Sequence, residues 1–195
     1  MATALVVSFG ATVSSASAGA AASWTVTPAG AYTAHAVYPT LDLPYMSLEC
    51  DYFDVAAGTL EATGVTGGAI GTIDAIAIDN CSVGGLEFVM TQSTKPWQID
   101  LVGPNASHAN WADVTISGIS GHWEGFSCSA DFSGMLFGHY ENDTGNLVID
   151  GTGSDLVVSN ADCLGLMNED DVISMNASLH MAMTSDGTSP VISTP

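Results

Sequence analysis

Apolar and polar residues alternate with a period of two along several stretches of the chain. The longest runs from Ile173 to Met183, where every second residue is apolar and Ser, Asn, His or Ala falls between. Shorter alternations cover residues 32–38, 86–90 and 97–101. A strand points successive side chains to opposite faces, so each stretch predicts a β-strand with one buried face.

The same reading of the whole chain gives roughly ten to thirteen strand candidates, and it finds no amphipathic helix. Charged residues make up only 11% of the sequence, while Gly, Ser, Thr, Asn and Asp are abundant. That composition is typical of short strands joined by turns. We therefore predict one all-β domain, either a β-sandwich or a closed barrel. A β-solenoid is the alternative, which the lack of a regular short repeat disfavours.

Two cysteine-bounded segments, 50–81 and 128–163, resemble each other in sequence. Their cysteines are separated by 31 and 35 residues. In each segment a Gly-x-Leu tripeptide follows the first cysteine, a Thr-Gly turn lies in the middle, and a β-branched run leads towards the second cysteine. This similarity between the two segments predicts a domain of two related halves, about 23–103 and 104–184.

The four cysteines can pair in three ways. The similarity of the two segments favours one disulfide within each half, Cys50–Cys81 and Cys128–Cys163, provided that the chain is exported to an oxidising compartment. A zinc site is disfavoured, because the sequence contains no C-x-x-C and its cysteines lie far apart.

The two ends of the chain differ in composition from the rest. Residues 1–22 resemble a signal peptide without a basic beginning, since an apolar stretch precedes small residues at Ala18 and Ala22. We expect export with cleavage after one of these alanines. No other segment reaches the length of apolar sequence that a transmembrane helix needs, so no transmembrane insertion is expected. Residues 185–195 are rich in Gly, Ser, Thr and Pro, which predicts a flexible tail.

The charge of the chain is strongly one-sided. Twenty-one acidic residues face a single basic residue, Lys95, and the formal net charge is −20. Nucleic acid and anionic membranes bind clustered Lys and Arg, so both are excluded as partners. The charge predicts a solvated acidic coat, with adaptation to salt, to acid or to divalent cations as alternatives.

Residues that could carry chemistry form no recognisable motif. The five histidines lack the spacing of a metal or catalytic motif, and no G-x-S-x-G occurs. Acidic side chains in loops suit Ca²⁺, and the candidates are Glu169, Asp170 and Asp171, although their spacing is not that of an EF-hand. We assign no catalytic residue and no cofactor apart from this Ca²⁺ candidate.

Two further kinds of site need groups that meet only in the folded chain. Trp111, Trp123 and Phe126 could form a platform on which a sugar stacks, or they could belong to the core. A pair of carboxylates could hydrolyse glycosides, but with so many acidic residues the sequence selects no pair.

Several short motifs are spread over the chain: Trp24–Gly30, Asn80–Cys81 with Leu86 and Phe88, Pro96–Gln98, Tyr140–Gly145 and Cys163–Asn168. Through these motifs and its cysteine arrangement the chain resembles a group of uncharacterised small secreted β-rich proteins of actinobacteria with two cysteine pairs. The missing basic beginning and the near absence of basic residues depart from that group. The resemblance implies export and a β-rich fold closed by disulfides, and it brings no catalytic residues.

These observations predict a secreted or cell-envelope-associated β-protein that is not catalytic and has a structural or surface-interaction role. Its partners would be other copies of the chain, a cell surface or a glycan. The alternatives are an extracellular module that binds a glycan or other ligand, and a secreted hydrolase that uses Asp or Glu.

Overall fold

The computed structural model describes residues 23–65 and 67–194, and within them every regular element is a β-strand. The predicted leader, residues 1–22, lies outside the described residues. The strands are β1 (Ser23–Thr27), β2 (Gly30–Val37), β3 (Thr40–Leu43), β4 (Met46–Glu49), β5 (Tyr52–Leu60), β6 (Thr63–Val65), β7 (Ala69–Asp79), β8 (Cys81–Val83), β9 (Leu86–Gln92), β10 (Trp97–Pro104), β11 (Trp111–Gly125), β12 (Cys128–Glu141), β13 (Asn146–Asp150), β14 (Leu156–Asp162), β15 (Val172–Met183) and β16 (Val191–Ser193).

Thirteen of these strands form four long antiparallel hairpins. In the first, β2 and β3 pair with β4 and β5, and in the second, β7 and β8 pair with β9 and β10. The third joins β11 to β12, and the fourth joins β13 and β14 to β15. Each half of the chain therefore supplies two hairpins.

The hairpins pair side by side into a closed ring. The first pairs with the second through β5–β7 and β4–β8, and the second with the third through β10–β11 and β9–β11. The third pairs with the fourth through β12–β13 and β12–β14. The fourth returns to the first, because β15 pairs with both β2 and β3. The fold is an up-and-down antiparallel barrel, which confirms the all-β prediction and rules out the solenoid.

A small sheet lies at the end of the barrel opposite the four hairpin turns. It consists of β16, β1 and β6, and each of these strands adjoins the same end of the ring. Trp24 of β1 and Ile192 of β16 are buried beneath it. We call this sheet the cap, since its apolar face covers that end of the barrel core.

Part of the segment predicted as a flexible tail, 185–195, forms the strand β16. Ile192 N–H donates to the Asn142 side-chain oxygen at 2.7 Å, and the Asn142 amide donates back to the Ile192 carbonyl at 2.9 Å. The Tyr140 hydroxyl donates to the Pro190 carbonyl at 2.5 Å, and burial raises the pKa of that phenol. Composition suggested a tail because the residues that hold this segment lie elsewhere in the sequence.

The interior of the barrel is filled by alternate side chains of every strand. From Ile173 to Met183 each odd-numbered residue is buried, as the alternation predicted. Trp97, Ile99 and Leu101 are buried in the same way. Fully burying such a side chain stabilises the fold by about 1.5–3 kcal/mol, so the filled interior supplies most of the driving force for folding.

Two positions depart from the predicted alternation. Tyr38 lies beyond the end of β2 with a positive φ of 54°, and its side chain is exposed. Leu86, expected on the buried face with Phe88, is exposed because it directly follows the Gly84–Gly85 turn. The alternation fails at both positions because each lies at the end of a strand, next to a turn or bend.

Both predicted disulfides are present, Cys50–Cys81 and Cys128–Cys163. Each joins the second strand of one hairpin to the first strand of the next, and the Cα atoms are 3.9 Å apart in both. Closing loops of this length stabilises a fold by roughly 3–4 kcal/mol each in the chain-entropy model. The two disulfides therefore occupy equivalent places in the two halves of the chain.

Candidate functional site

The barrel interior offers no room for a ligand within the described residues. Two apolar voids between the core side chains hold roughly 10 and 20 Å³, enough for one water molecule at most. Ligand pockets usually measure about 300–1,000 Å³. Functional groups must therefore be sought on the outer wall and at the ends of the barrel.

The wall carries a row of polar side chains that crosses four neighbouring strands. Asn146, His180, His35 and Asp54 lie directly opposite one another on β13, β15, β2 and β5. His35 Nδ1 is 2.6 Å from an Asp54 carboxylate oxygen, and His180 Nδ1 is 3.2 Å from the Asn146 side-chain oxygen. We call these four residues the histidine row. Both histidines line one shallow depression of about 380 Å³.

A second histidine on the wall lies between two carboxylates. His122 Nδ1 is 2.7 Å from Asp131, and His122 Nε2 is 3.3 Å from Glu124. The hydrogen bond to Asp131, followed by that to Glu124, raises the pKa of His122. Hydrogen bonds from His122 and then Asn160 lower the pKa of Asp131. The arrangement favours a charged pair on an exposed part of the wall.

A stack of three rings lies near the cap end of the barrel. The Trp111 ring is between the imidazoles of His108 and His139, with centroid separations of 3.7 and 4.1 Å. His139 Nε2 is also 3.4 Å from a Glu141 carboxylate oxygen. Since both faces of the indole are covered, Trp111 has no free face on which a sugar could stack.

Beside this stack is a polar depression of about 320 Å³. The Asn105 amide donates to Asp113 at 2.7 Å, and the Thr152 hydroxyl donates to Asp150 at 2.6 Å. The bond from Thr152 is the main cause of a lowered pKa at Asp150. A lowered pKa suits a carboxylate that stays charged, whereas a general acid needs a raised one. Asp150 is therefore not suited to act as a general acid.

The acidic loop proposed for Ca²⁺ follows Cys163. One Asp171 carboxylate oxygen accepts hydrogen bonds from the backbone and side chain of Asn168, and Glu169 accepts a long one from the Ala161 backbone. Asp170 has a positive φ of 65° and pairs through its backbone with Val158. In the described parts of the chain no three His, Cys, Asp or Glu side chains are placed to hold one metal ion. Calcium binding at this loop stays a prediction that the geometry does not support.

The proposed aromatic platform is not formed. Trp123 is buried in the core, Trp111 is covered by its two histidines, and Phe126 stands alone on the turn between β11 and β12. The three residues are near in sequence, but the alternation of β11 turns Trp123 inwards and the hairpin turn carries Phe126 away.

The four hairpin turns expose large apolar side chains. All lie at the end of the barrel opposite the cap, because consecutive antiparallel strands return their turns to the same end. Each turn presents one large apolar side chain to solvent, and the exposed fractions are Tyr45 75%, Leu86 41%, Phe126 76% and Leu164 85%. We call this set the hairpin crown.

Comparison of the chain with protein-family models, with curated protein sequences and with solved structures finds no match. Among the described residues, no helix has the length and apolar character that crossing a membrane would require. The candidate sites therefore rest on geometry alone.

Sequence reasoning missed both the histidine row and the hairpin crown. His35 and His180 each occupy polar positions of an alternating strand, which was a signal that both face outwards. Their contact depends on β2 lying beside β15, and only the closure of the ring shows this. The crown was missed because an isolated apolar residue in a turn carries no pattern.

Proposed function

We propose that the chain is an exported, non-catalytic β-barrel that acts through contact of its hairpin crown with a component of the cell envelope. The observation that carries this proposal is that every hairpin turn presents a large apolar side chain at the same end of the barrel. Aromatic and large apolar side chains contribute most of the energy in protein interfaces. Exposed apolar groups that cluster on one surface are typical of interaction sites.

The wall of the barrel supports this choice by contrast. The histidine row and His122 are hydrogen-bonded to their neighbours, and the exposed large apolar side chains outside the crown are mostly valines. The interior formed by residues 23–65 and 67–194 holds no ligand-sized cavity, and the polar depression has a carboxylate with a lowered pKa. Contact through the crown therefore fits the structure better than catalysis or enclosure of a ligand.

Charge narrows the chemistry of the partner. Each apolar side chain of the crown has a carboxylate close to it in the sequence, and these carboxylates are Asp42, Glu87, Glu124 and Asp162. With a net charge of −20, the chain repels anionic polymers and anionic membranes at moderate salt. The partner is accordingly a neutral or cationic envelope surface with apolar groups that can cover the crown.

Export is supported by the disulfides and by the sequence before β1. Both cysteine pairs are closed, and such bonds persist in oxidising compartments. The apolar stretch and small residues of 1–22 fit a cleaved leader, and the resemblance to secreted β-rich proteins agrees with it. Intact-mass measurement of protein from culture medium tests this, and a mature chain that begins at Met1 would refute it.

The contact surface can be tested by sedimentation with isolated cell envelopes of the source organism. The bound fraction of the oxidised protein would be compared with that of a triple variant, Tyr45→Ser, Phe126→Ser and Leu164→Ser. We expect the triple variant to lose most of its binding, since each apolar side chain can bury area worth about 1.5–3 kcal/mol.

A matched control replaces three exposed apolar residues outside the crown, Val37→Ser, Val102→Ser and Val191→Ser. This variant should bind like the parent protein. Equal loss in both variants, or no binding by the parent, would contradict the proposal. Competition by a soluble glycan would favour the glycan-binding alternative, and turnover of a glycan or ester that one carboxylate-to-amide change abolishes would favour the hydrolase.

A further inference from the structure

We propose that His35 and His180 together bind a divalent transition metal ion, such as Zn²⁺, Ni²⁺ or Cu²⁺, on the outer wall of the barrel. The two residues are direct cross-strand partners on β2 and β15, and both side chains are on the exposed face. Directly opposite residues have Cβ atoms about 4.5–5.5 Å apart, close enough for two imidazoles to share one ion.

The hydrogen bonds of the two rings define their tautomers. Asp54 is a carboxylate and can only accept, so His35 Nδ1 carries the proton that lies between them. His180 Nδ1 likewise donates to the side-chain oxygen of Asn146. We assign these protons from the partners. In each neutral ring the lone pair is then on Nε2, the atom available to a metal ion.

The positions of the acceptors turn the two free nitrogens towards each other. Asp54 lies on the far side of His35 from His180, and Asn146 lies on the far side of His180 from His35. Each Nδ1 therefore points away from the other histidine, and the ring edge that carries Nε2 faces it. The shared depression of about 380 Å³ leaves room for an ion with its water ligands.

This arrangement has the outer hydrogen bonds that accompany metal-binding histidines. Such ligands almost always donate the other ring N–H to a carboxylate, carbonyl or water, which fixes the ring and raises its basicity. Asp54 and Asn146 are the corresponding partners here. They do not contact the ion, so they act as positioning residues.

The ligand type selects the class of metal. Imidazole suits Zn²⁺, Ni²⁺ and Cu²⁺, whereas Ca²⁺ and Mg²⁺ prefer oxygen ligands. The charge of −20 raises the local concentration of any divalent cation near the wall. Two protein ligands leave the remaining positions to water, so the ion exchanges with solvent. The site adds a function to the barrel and does not depend on contact through the hairpin crown.

Calorimetric titration of the oxidised full chain with Zn²⁺ tests the site. Excess Mg²⁺, present throughout near neutral pH, occupies the diffuse carboxylate background. We expect one Zn²⁺ per chain, and at least about tenfold weaker binding in His35→Ala and in His180→Ala, since each removes one of two ligands. His122→Ala, which removes a partly exposed histidine on another part of the wall, should bind as the parent does.

The variant Asp54→Ala tests whether Asp54 raises the Zn²⁺ affinity by positioning the His35 ring or only through its negative charge. Loss of such an outer partner typically weakens metal binding about 10- to 100-fold. Asp79→Ala removes the same charge from the wall without touching either ring and should change the affinity little. Circular dichroism spectra and thermal melts verify that every variant is folded.

The proposal is overturned if Zn²⁺ binds no better than Mg²⁺. It is also overturned if the affinity is unchanged in both His35→Ala and His180→Ala, or if His122→Ala weakens it equally. In that last case the ion would be held by the diffuse charge of the wall.

Discussion

At the scale of single residues, the fold changes the protonation of His122. Asp131 and Glu124 both raise its pKa, so the folded chain holds this proton more tightly than the unfolded chain does. The resulting stabilisation is fully present below the unfolded pKa of about 6.5 and is lost as pH rises through the folded pKa.

A proton NMR titration checks this directly. We expect the His122 ring signals to titrate with a midpoint above about 6.5, and Asp131→Asn to move that midpoint down, since the amide no longer favours the imidazolium. A midpoint that does not respond to Asp131→Asn would show that the pair is not formed in solution.

Gly134 is required by a close approach of two strands. Its φ is +141°, and a Cβ atom there would overlap the Asp155 carbonyl group of the chain beside it. Because the carbonyl carbon and oxygen of Asp155 are backbone atoms, no side-chain movement relieves the overlap. We expect Gly134→Ala to lower the free energy of unfolding by about 3 kcal/mol, from overpacking together with a strained φ.

Chemical denaturation measures this change. Gly165→Ala is the control, since Gly165 also has a positive φ but has open space around it, and about 1–2 kcal/mol is expected there. Equal losses in the two variants would mean that β12 and β14 are not as close as the structure shows.

The sequence predicted which side chains are buried wherever burial follows the alternation along a single strand. The buried residues of β15 follow from alternation, because a strand exposes its two faces in turn. The partner of His35 does not follow, since Asp54 and His180 belong to neighbouring strands on either side. A pattern along one strand contains no information about which strands lie beside it.

At the scale of elements, β16 shows how a short strand is held by residues far away in the chain. Asn142 exchanges two hydrogen bonds with the Ile192 backbone and so imitates a neighbouring strand. We expect Asn142→Ala to destabilise the cap by about 1–3 kcal/mol, because it leaves backbone groups of Ile192 without partners.

Hydrogen exchange resolves that effect by region. Exchange should accelerate in β16 and β1, which pair with each other, and much less in the barrel strands. Asn80→Ala is the control, since Asn80 bonds only an exposed carboxylate, that of Asp51. Unchanged protection of β16 in Asn142→Ala would contradict this account of the cap.

The predicted elements also show what determines the fold beyond local pattern. The similarity of the two cysteine-bounded segments identified both disulfides, because each half joins successive hairpins at the equivalent place. It did not distinguish a sandwich from a barrel, since that depends on whether β15 reaches back to β2 and β3. The strand β16 did not follow from composition, because composition cannot show that Asn142 and Tyr140 hold this segment.

At the scale of the whole molecule, the charge of −20 opposes the compact state near neutral pH. Added salt screens this repulsion, so the melting temperature should rise from low to high ionic strength. For a chain of this size a gain of 1 kcal/mol corresponds to about 2–4 °C. Thermal melts that coincide at low and high NaCl would show that repulsion does not limit stability.

Contact of the barrel with the envelope through the hairpin crown can be located by hydrogen–deuterium exchange of the oxidised protein, free and bound to isolated envelopes. Binding should slow exchange at the four turns, around Tyr45, Leu86, Phe126 and Leu164, while the cap strands β1, β6 and β16 exchange as before. Protection confined to the cap or to the wall, with the turns unchanged, would contradict the proposal.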